Sequence, residues 1–196
     1  MICNIDIYTF LVYINFVEKF KSFDFNGIIV DLCILSKNYK ENKYIILALH
    51  NKKQVGYCDF ALENSECKIS RIVITDKSFL KKGIGSCMFK AMEFFAFKNG
   101  ITYISGIFFP RGYDDARETT STFYQRHGMK DSFGGYDYCE REEISKQITS
   151  AEQQFEIPVI YNAEIYQRVI DFNYKTNDFF ETKNKDIDTK QLDFIL

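Results

Sequence analysis

The chain has 196 residues, with 25 Lys plus Arg against 27 Asp plus Glu and a formal net charge of -2. That balance excludes a protein built mainly to coat nucleic acid, and the length suffices for a full core in one domain. Six cysteines, Cys3, Cys33, Cys58, Cys67, Cys87 and Cys139, form no CxxC pair and no second cluster, which argues against a zinc site or a disulfide scaffold and predicts reduced thiols in a cytoplasmic protein.

Phe10 to Val17 is apolar but lies between Asp6 and Glu18, far short of the ~20 residues that span a bilayer, and it lacks the basic start of a signal peptide. A buried first helix or strand is expected there; Tyr8 to Phe20 fits a short helix, and its pattern leaves both readings open. Gly27 to Ser36 has the β-branched richness of a strand. Tyr44 to His50 and Val55 to Ala61 read as a hairpin joined by Asn51-Lys52-Lys53-Gln54. A second turn, Glu63-Asn64-Ser65-Glu66, leads into a further strand, Cys67 to Thr75.

The run Leu80-Lys81-Lys82-Gly83-Ile84-Gly85-Ser86 follows that strand and opens a helix in which Ile84, Met88, Ala91 and Phe95 share a face. Gly83 and Gly85 permit a tight turn with inward N–H groups, and the helix start adds unpaired donors and the positive end of its dipole. Strand, glycine turn and helix together predict a phosphate pocket for a nucleotide-like cofactor. The full GxGxxG is missing, since Met88 stands three residues after Gly85, and no P-loop pattern is present. Asn99-Gly100 stops the helix, and Ile101 to Phe109 returns to strand composition.

Asp114 to His127 reads as a second helix ending at Gly128, Phe133 to Cys139 as a strand and Glu140 to Gln154 as a polar helix. Pro158, beside the short apolar run Ile157 to Tyr161, separates these from a helix over Ala163 to Asn173. Lys175 to Lys190 is polar, although Phe179-Phe180 and the terminal Phe194-Ile195-Leu196 argue against a free tail throughout. The economical organisation is one domain over residues 1–196, with a central segment 67–139 and a C-terminal completion or accessory segment 140–196.

Two stretches, ISRIVITDKSFLKKGIGSCMFKAMEFFAFKNG and TTSTFYQRHGM, resemble the cofactor strand, pyrophosphate turn and second cofactor motif of the GCN5-related N-acetyltransferase (GNAT) superfamily. The resemblance covers Cys67 to Cys139. It implies an α+β fold in three layers, α/β/α, around a central, mostly antiparallel mixed sheet with a splayed cofactor strand, and acetyl-coenzyme A as cofactor. Carried onto this chain, the pantetheine arm would pair with the backbone of Ile72, Val73, Ile74 and Thr75. The phosphates would meet Lys81, Lys82, Gly83, Ile84, Gly85 and Ser86. Leu80 departs from the family, which sets Arg or Gln three residues before the first glycine, and Lys81 and Lys82 read equally as solvent-facing turn residues.

The same resemblance assigns a backbone N–H, Ile74 being favoured, to the oxyanion, and Tyr124 to the departing thiolate, with a core tyrosine packed beside Phe123 as the alternative. The family's glutamate on the cofactor strand is absent, because Ile69, Ser70 and Arg71 stand there. Glu66, Asp59 and Glu140 are the remaining candidates for a base, each also fitting an ordinary surface carboxylate. His50 and His127 have no third partner at ligand spacing, so no metal is expected. No histidine pairs recognisably with Cys87 or Cys139, which favours direct attack of a primary amine in a ternary complex. The acceptor would be an amine-bearing small molecule or protein, and a homodimer is the assembly the resemblance brings with it. A non-catalytic acyl-coenzyme A-binding or interaction module is the alternative function.

Overall fold

The structure, a computed structural model, describes residues 20–37, 40–108, 123–131 and 142–171. Three successive hairpins build the first half of the sheet: β1 (Lys21–Asp24) with β2 (Ile29–Ser36), then β3 (Lys43–His50) with β4 (Lys53–Glu63), then β4 with β5 (Glu66–Ile74). Each turn sets two residues at positive φ, namely Asn26-Gly27, Asn51-Lys52 and Asn64-Ser65. That backbone matches the right-handed twist of the flanking strands, and an asparagine opens each turn because its short polar side chain tolerates the left-handed region. The expected strand over Gly27 to Ser36 therefore begins at Ile29, with Gly27 spent on the turn.

From β5 the chain passes through a 3-10 turn (Lys77–Phe79) into α1 (Ile84–Lys98) and returns as β6 (Tyr103–Phe108), parallel to β5. Gly100, at φ 76, ends α1 as expected, its N–H bonding the Phe97 carbonyl while that of Ile101 reaches back to Ala96. β8 (Glu142–Gln147) pairs antiparallel with β6 on one side and with the short β7 (Lys130–Asp131) on the other. β9 (Val159–Tyr161) runs parallel to β2 and shares its outer edge with β1, the two strands covering different residues of β2.

Residues 142–147 correct the expectation of a helix over Glu140 to Gln154. Ile144 and Ile148 are both buried four residues apart, a spacing that one face of a helix and one face of a strand share. Pairing along β6 then overrides the helical bias of the polar residues between them. Phe10 to Val17, Phe133 to Cys139 and Lys175 to Lys190 lie outside the described residues, as do residues 114–122 of the helix expected over Asp114 to His127, of which 123–126 form a helical turn.

Two apolar layers flank the sheet. On one face α1 buries Ile84, Met88, Ala91, Met92 and Phe95 against Ile34, Ile46, Cys58 and Phe60. On the other, α2 (163–171) lays Ile165, Tyr166 and Val169 over Cys33, Leu35, Ile45, Leu47 and Tyr57. Burying each large side chain contributes about 1.5–3 kcal/mol, enough to dock so short a helix. Asn162 starts α2 by accepting the Ile165 N–H on Oδ1 at 3.0 Å. The result is the expected three-layer α/β/α arrangement around a mixed, mostly antiparallel sheet.

Candidate functional site

The sheet opens between the parallel neighbours β5 and β6. β5 pairs with β6 only from Glu66↔Tyr103 to Ile69↔Gly106, while its pairing with β4 continues to Ile74. At the point of parting, Ser70 is an extra residue between the Phe60↔Ile69 and Asp59↔Arg71 pairs. Such a bulge bends and twists its strand, which swings the rest of β5 away from β6. Thr75 donates its N–H to the Val55 carbonyl, 2.9 Å away. By the alternation of an antiparallel ladder, Val73 also faces β4, and the N–H groups of Ile72 and Ile74 face the gap.

Gly56 sets how closely β4 and β5 approach there. A β-carbon on it would stand 2.8 Å from the Val73 carbonyl oxygen and 3.0 Å from Ile74 Cδ1. Gly56 sits inside a strand with no turn signal around it, so its role has no local cue in the sequence.

The link from β5 to α1 is held by its own polar groups. Asp76 accepts from the Ser78 N–H at 2.9 Å and from the Ser78 hydroxyl at 2.7 Å, bonds that lower the pKa of its carboxyl. Phe79 lies against the His50 ring, centroids 5.1 Å apart. Leu80, 48% exposed, anchors nothing in the core, and Lys81 and Lys82 are exposed on the turn. Gly83 takes φ 93, where L side chains are strained, and no side chain caps the helix. The Cys87 N–H makes the bond to the Gly83 carbonyl, which leaves the N–H groups of Ile84, Gly85 and Ser86 at the open helix start. Gly85 is packed from the side by Phe123 rather than from the mouth.

Tyr124 sits in the 123–126 helical turn, buried in the α1-side layer with Phe123 edge-on at 5.2 Å. Burial, with nearby Cys58 adding to it, raises the pKa of its hydroxyl well above the usual phenol range. Cys58 is the cross-strand partner of Ile72, so Tyr124 and the gap-facing end of β5 belong to one neighbourhood. His127 closes the same turn. Its Nε2 lies 3.1 Å from Ser86 Oγ, and its ring stacks on Phe89 with centroids 4.4 Å apart. Burial first, then the positive charges of Lys146, Lys90 and Arg126, lower its pKa to about 4, so the ring is neutral at neutral pH. Its link to Ser86 joins residues 41 apart and carries no local signal.

Of the candidate bases, Glu66 lies at the far end of β5, where the strand is still paired with β6. Glu140 falls outside the described residues. Asp59 lies beside the parting point, paired with Arg71 Nε at 3.2 Å. Cys87 is buried and its thiol pKa is raised to about 12, mainly by burial, which suits a packing role. Among the described residues no group of His, Cys, Asp and Glu is arranged to hold a metal ion, and no helix is long and apolar enough to cross a membrane.

Residues 41–130 match the family model of the acetyltransferase (GNAT) domain. No curated protein matches the sequence. Among solved structures, the chain is similar to the PaiA N-acetyltransferase of Thermoplasma acidophilum in complex with coenzyme A, at 16% identity and TM-score 0.46 over 53% of this chain and 59% of that one. It is similar also to an acetyltransferase from Streptococcus agalactiae, at 15% identity and TM-score 0.47 over 57% and 71% of the two chains. A GNAT-family acetyltransferase from Streptococcus pneumoniae shares 21% identity, with TM-score 0.45 over 55% of this chain and 67% of its own.

Proposed function

We infer, from a chain that carries a GNAT-superfamily acetyltransferase domain across residues 41–130, that it binds acetyl-coenzyme A and directs the acetyl group to a primary amine. The observation that carries this reading is the parting of β5 from β6 after Ile69↔Gly106, with the N–H groups of Ile72 and Ile74 turned into the gap and the strand leading to an open glycine turn. The donor set fits the group: backbone N–H groups for amide carbonyls in the gap, and free helix-start N–H groups for a pyrophosphate. Gly83 contributes a backbone that a side chain would strain.

When bound, acetyl-coenzyme A supplies an activated thioester. The chain supplies the rest. The backbone of Ile72 to Thr75 acts as the strand against which the pantetheine arm lies. Gly83, Ile84, Gly85 and Ser86 hold the phosphates through their N–H groups, and Lys81 and Lys82 add positive charge at the mouth. The N–H of Ile74 or of its neighbour in the gap, Ile72, would donate to the oxygen on which negative charge develops. Tyr124, held protonated by burial, would be the proton donor to the departing thiolate. The acceptor is an amine-bearing small molecule or protein, and the chain is read as one domain with 140–196 completing it.

Isothermal titration with acetyl-coenzyme A tests the reading, with a Gly83→Ala/Gly85→Ala variant as control. Saturable binding lost in the variant supports it, and an amine screen then follows. A folded wild-type chain that binds nothing overturns it.

A further inference from the structure

Among the described residues two side chains, Ser36 and Asp59, hold a buried polar atom without a hydrogen-bond partner, and Asp59, largely but not fully buried, is the one that carries charge and stands beside the parting of β5 from β6. Its neighbours Cys58 and Phe60 point into the α1 layer, so the alternation of β4 turns Asp59 to the opposite face. One carboxylate oxygen, Oδ2, meets Arg71 Nε at 3.2 Å; the other, Oδ1, is buried and has no hydrogen-bond partner among the described residues. A buried acceptor left unmatched is costly, of order 1–3 kcal/mol, and in a native protein calls for an ordered water, a ligand or a functional reason. The position supplies one. Asp59 pairs across the ladder with Arg71, which directly follows the bulge at Ser70 where β5 leaves β6. The side chain of Arg71 is 32% exposed, so this end of the face is reached from solvent, whereas α2 covers the sheet around Tyr57, Leu47 and Leu35.

We propose that Asp59 Oδ1 is the atom that receives the ammonium group of the acceptor and takes its proton. The assignment rests on the acetyl-transfer reading for the identity of the acceptor. The glycine turn and the start of α1 lie at one side of the gap, and Asp59 faces the other, so cofactor and acceptor reach the gap from opposite faces of the sheet. In the step assigned to Asp59, an N–H bond of the ammonium breaks, the proton passes to Oδ1, and nitrogen keeps the electron pair with which it becomes a nucleophile. Burial raises the pKa of this carboxyl to about 6 against the lowering effect of Arg71, which makes it a better proton acceptor than an exposed aspartate. Along β5, Asp59 is level with Arg71, one residue from Ile72 and about 10 Å from Ile74. An amine on Asp59 therefore selects Ile72, of the two gap-facing N–H groups, as the donor to the reacting carbonyl.

The test is a backbone-amide NMR titration of the full chain with n-propylammonium chloride, sodium chloride serving as the ionic control, run with and without coenzyme A. Saturable shifts at Asp59, Ser70, Arg71 and Ile72 are expected in the wild type, with affinity weakened at least tenfold in Asp59→Asn. Arg71→Gln, which removes the competing guanidinium, is expected to tighten amine binding, and it keeps the proposal testable should Asp59→Asn fail to fold. Shifts that Asp59→Asn leaves unchanged, weaker binding in Arg71→Gln, or no saturable response in the wild type each overturn it; the last is the result if Oδ1 simply holds a buried water. Calorimetry with coenzyme A on the same samples separates the two readings, because loss of cofactor binding sinks acetyl transfer while the amine shifts still decide Asp59.

Discussion

His127 Nε2 and Ser86 Oγ lie 3.1 Å apart and tie the turn that carries Tyr124 to the first turn of α1. The bond fixes the spacing between the open N–H groups at the helix start and the buried tyrosine, two features that belong to separate segments of chain. A neutral hydrogen bond of this kind contributes about 1 kcal/mol net. A double-mutant cycle with Ser86→Ala and His127→Phe, the latter keeping a flat ring against Phe89, is expected to show a coupling of about that size in denaturant unfolding. Strict additivity of the two single changes would show that the contact contributes nothing.

Tyr124→Phe separates chemistry from packing. The ring remains in the α1-side layer, and only the hydroxyl that burial holds protonated is lost. Acetyl transfer is expected to fall on the order of 10²-fold while the dissociation constant for acetyl-coenzyme A changes little. Stopped-flow release of thiol, set beside calorimetric binding, checks this. Equal losses in both would return Tyr124 to a purely structural role.

Asp59 and His127 give stability a pH dependence in which two ramps oppose each other. Asp59 has a folded pKa of about 6 against 3.8 for the free group, so the folded state holds the extra proton between those values, and stability is lost as pH rises through that window. The loss is about 3 kcal/mol when complete. His127 has a folded pKa of about 4 against 6.5, so its contribution is present above 6.5 and is lost as pH falls toward 4. The windows overlap, and the wild-type profile between pH 4 and 6.5 is therefore flatter than either ramp. In His127→Phe the Asp59 ramp stands exposed and melting temperature rises on acidification across that range; in Asp59→Asn the His127 ramp remains and it falls. Parallel profiles for the two variants would contradict both assignments.

Much of the site could be read from residues that act locally. Gly83, Gly85 and the apolar spacing of α1 report their own backbone and their own face, so the turn and helix stand where expected. The hairpins are half legible: the strands show, while Gly27, the second residue of the Asn26-Gly27 turn signal, reads as the start of a strand. What stayed hidden depends on partners distant in sequence. β8 is a strand only because β6 offers it an edge, and β9 completes β2 from more than a hundred residues away. Ser70 becomes a bulge through a register with β4 that its own neighbours do not encode. In sequence Asp59 is one of three equal candidates for a base, with Glu66 and Glu140, and only the fold sets it apart, by burying one of its oxygens without a partner among the described residues.

Gly56 offers the most direct test of the gap as a built feature. It faces α1, with Met88 Cε 3.4 Å from where a β-carbon would stand and the Val73 carbonyl oxygen at 2.8 Å. Backbone cannot rotate aside as a side chain does, so Gly56→Ala must push β5 away from β4 at Ile74, the residue whose N–H faces the gap. Overpacking of this kind costs about 1–3 kcal/mol. Because the displacement falls on the strand proposed to hold the cofactor, coenzyme A affinity is expected to drop together with melting temperature. Gly106→Ala provides the comparison: its β-carbon would meet Ile69 at an ordinary 3.5 Å on the paired part of the parallel ladder, where the strand is not proposed to hold cofactor. A larger loss of coenzyme A affinity in Gly56→Ala than in Gly106→Ala, at matched stability, places the binding surface on the splayed end of β5; equal losses would leave the gap without a role.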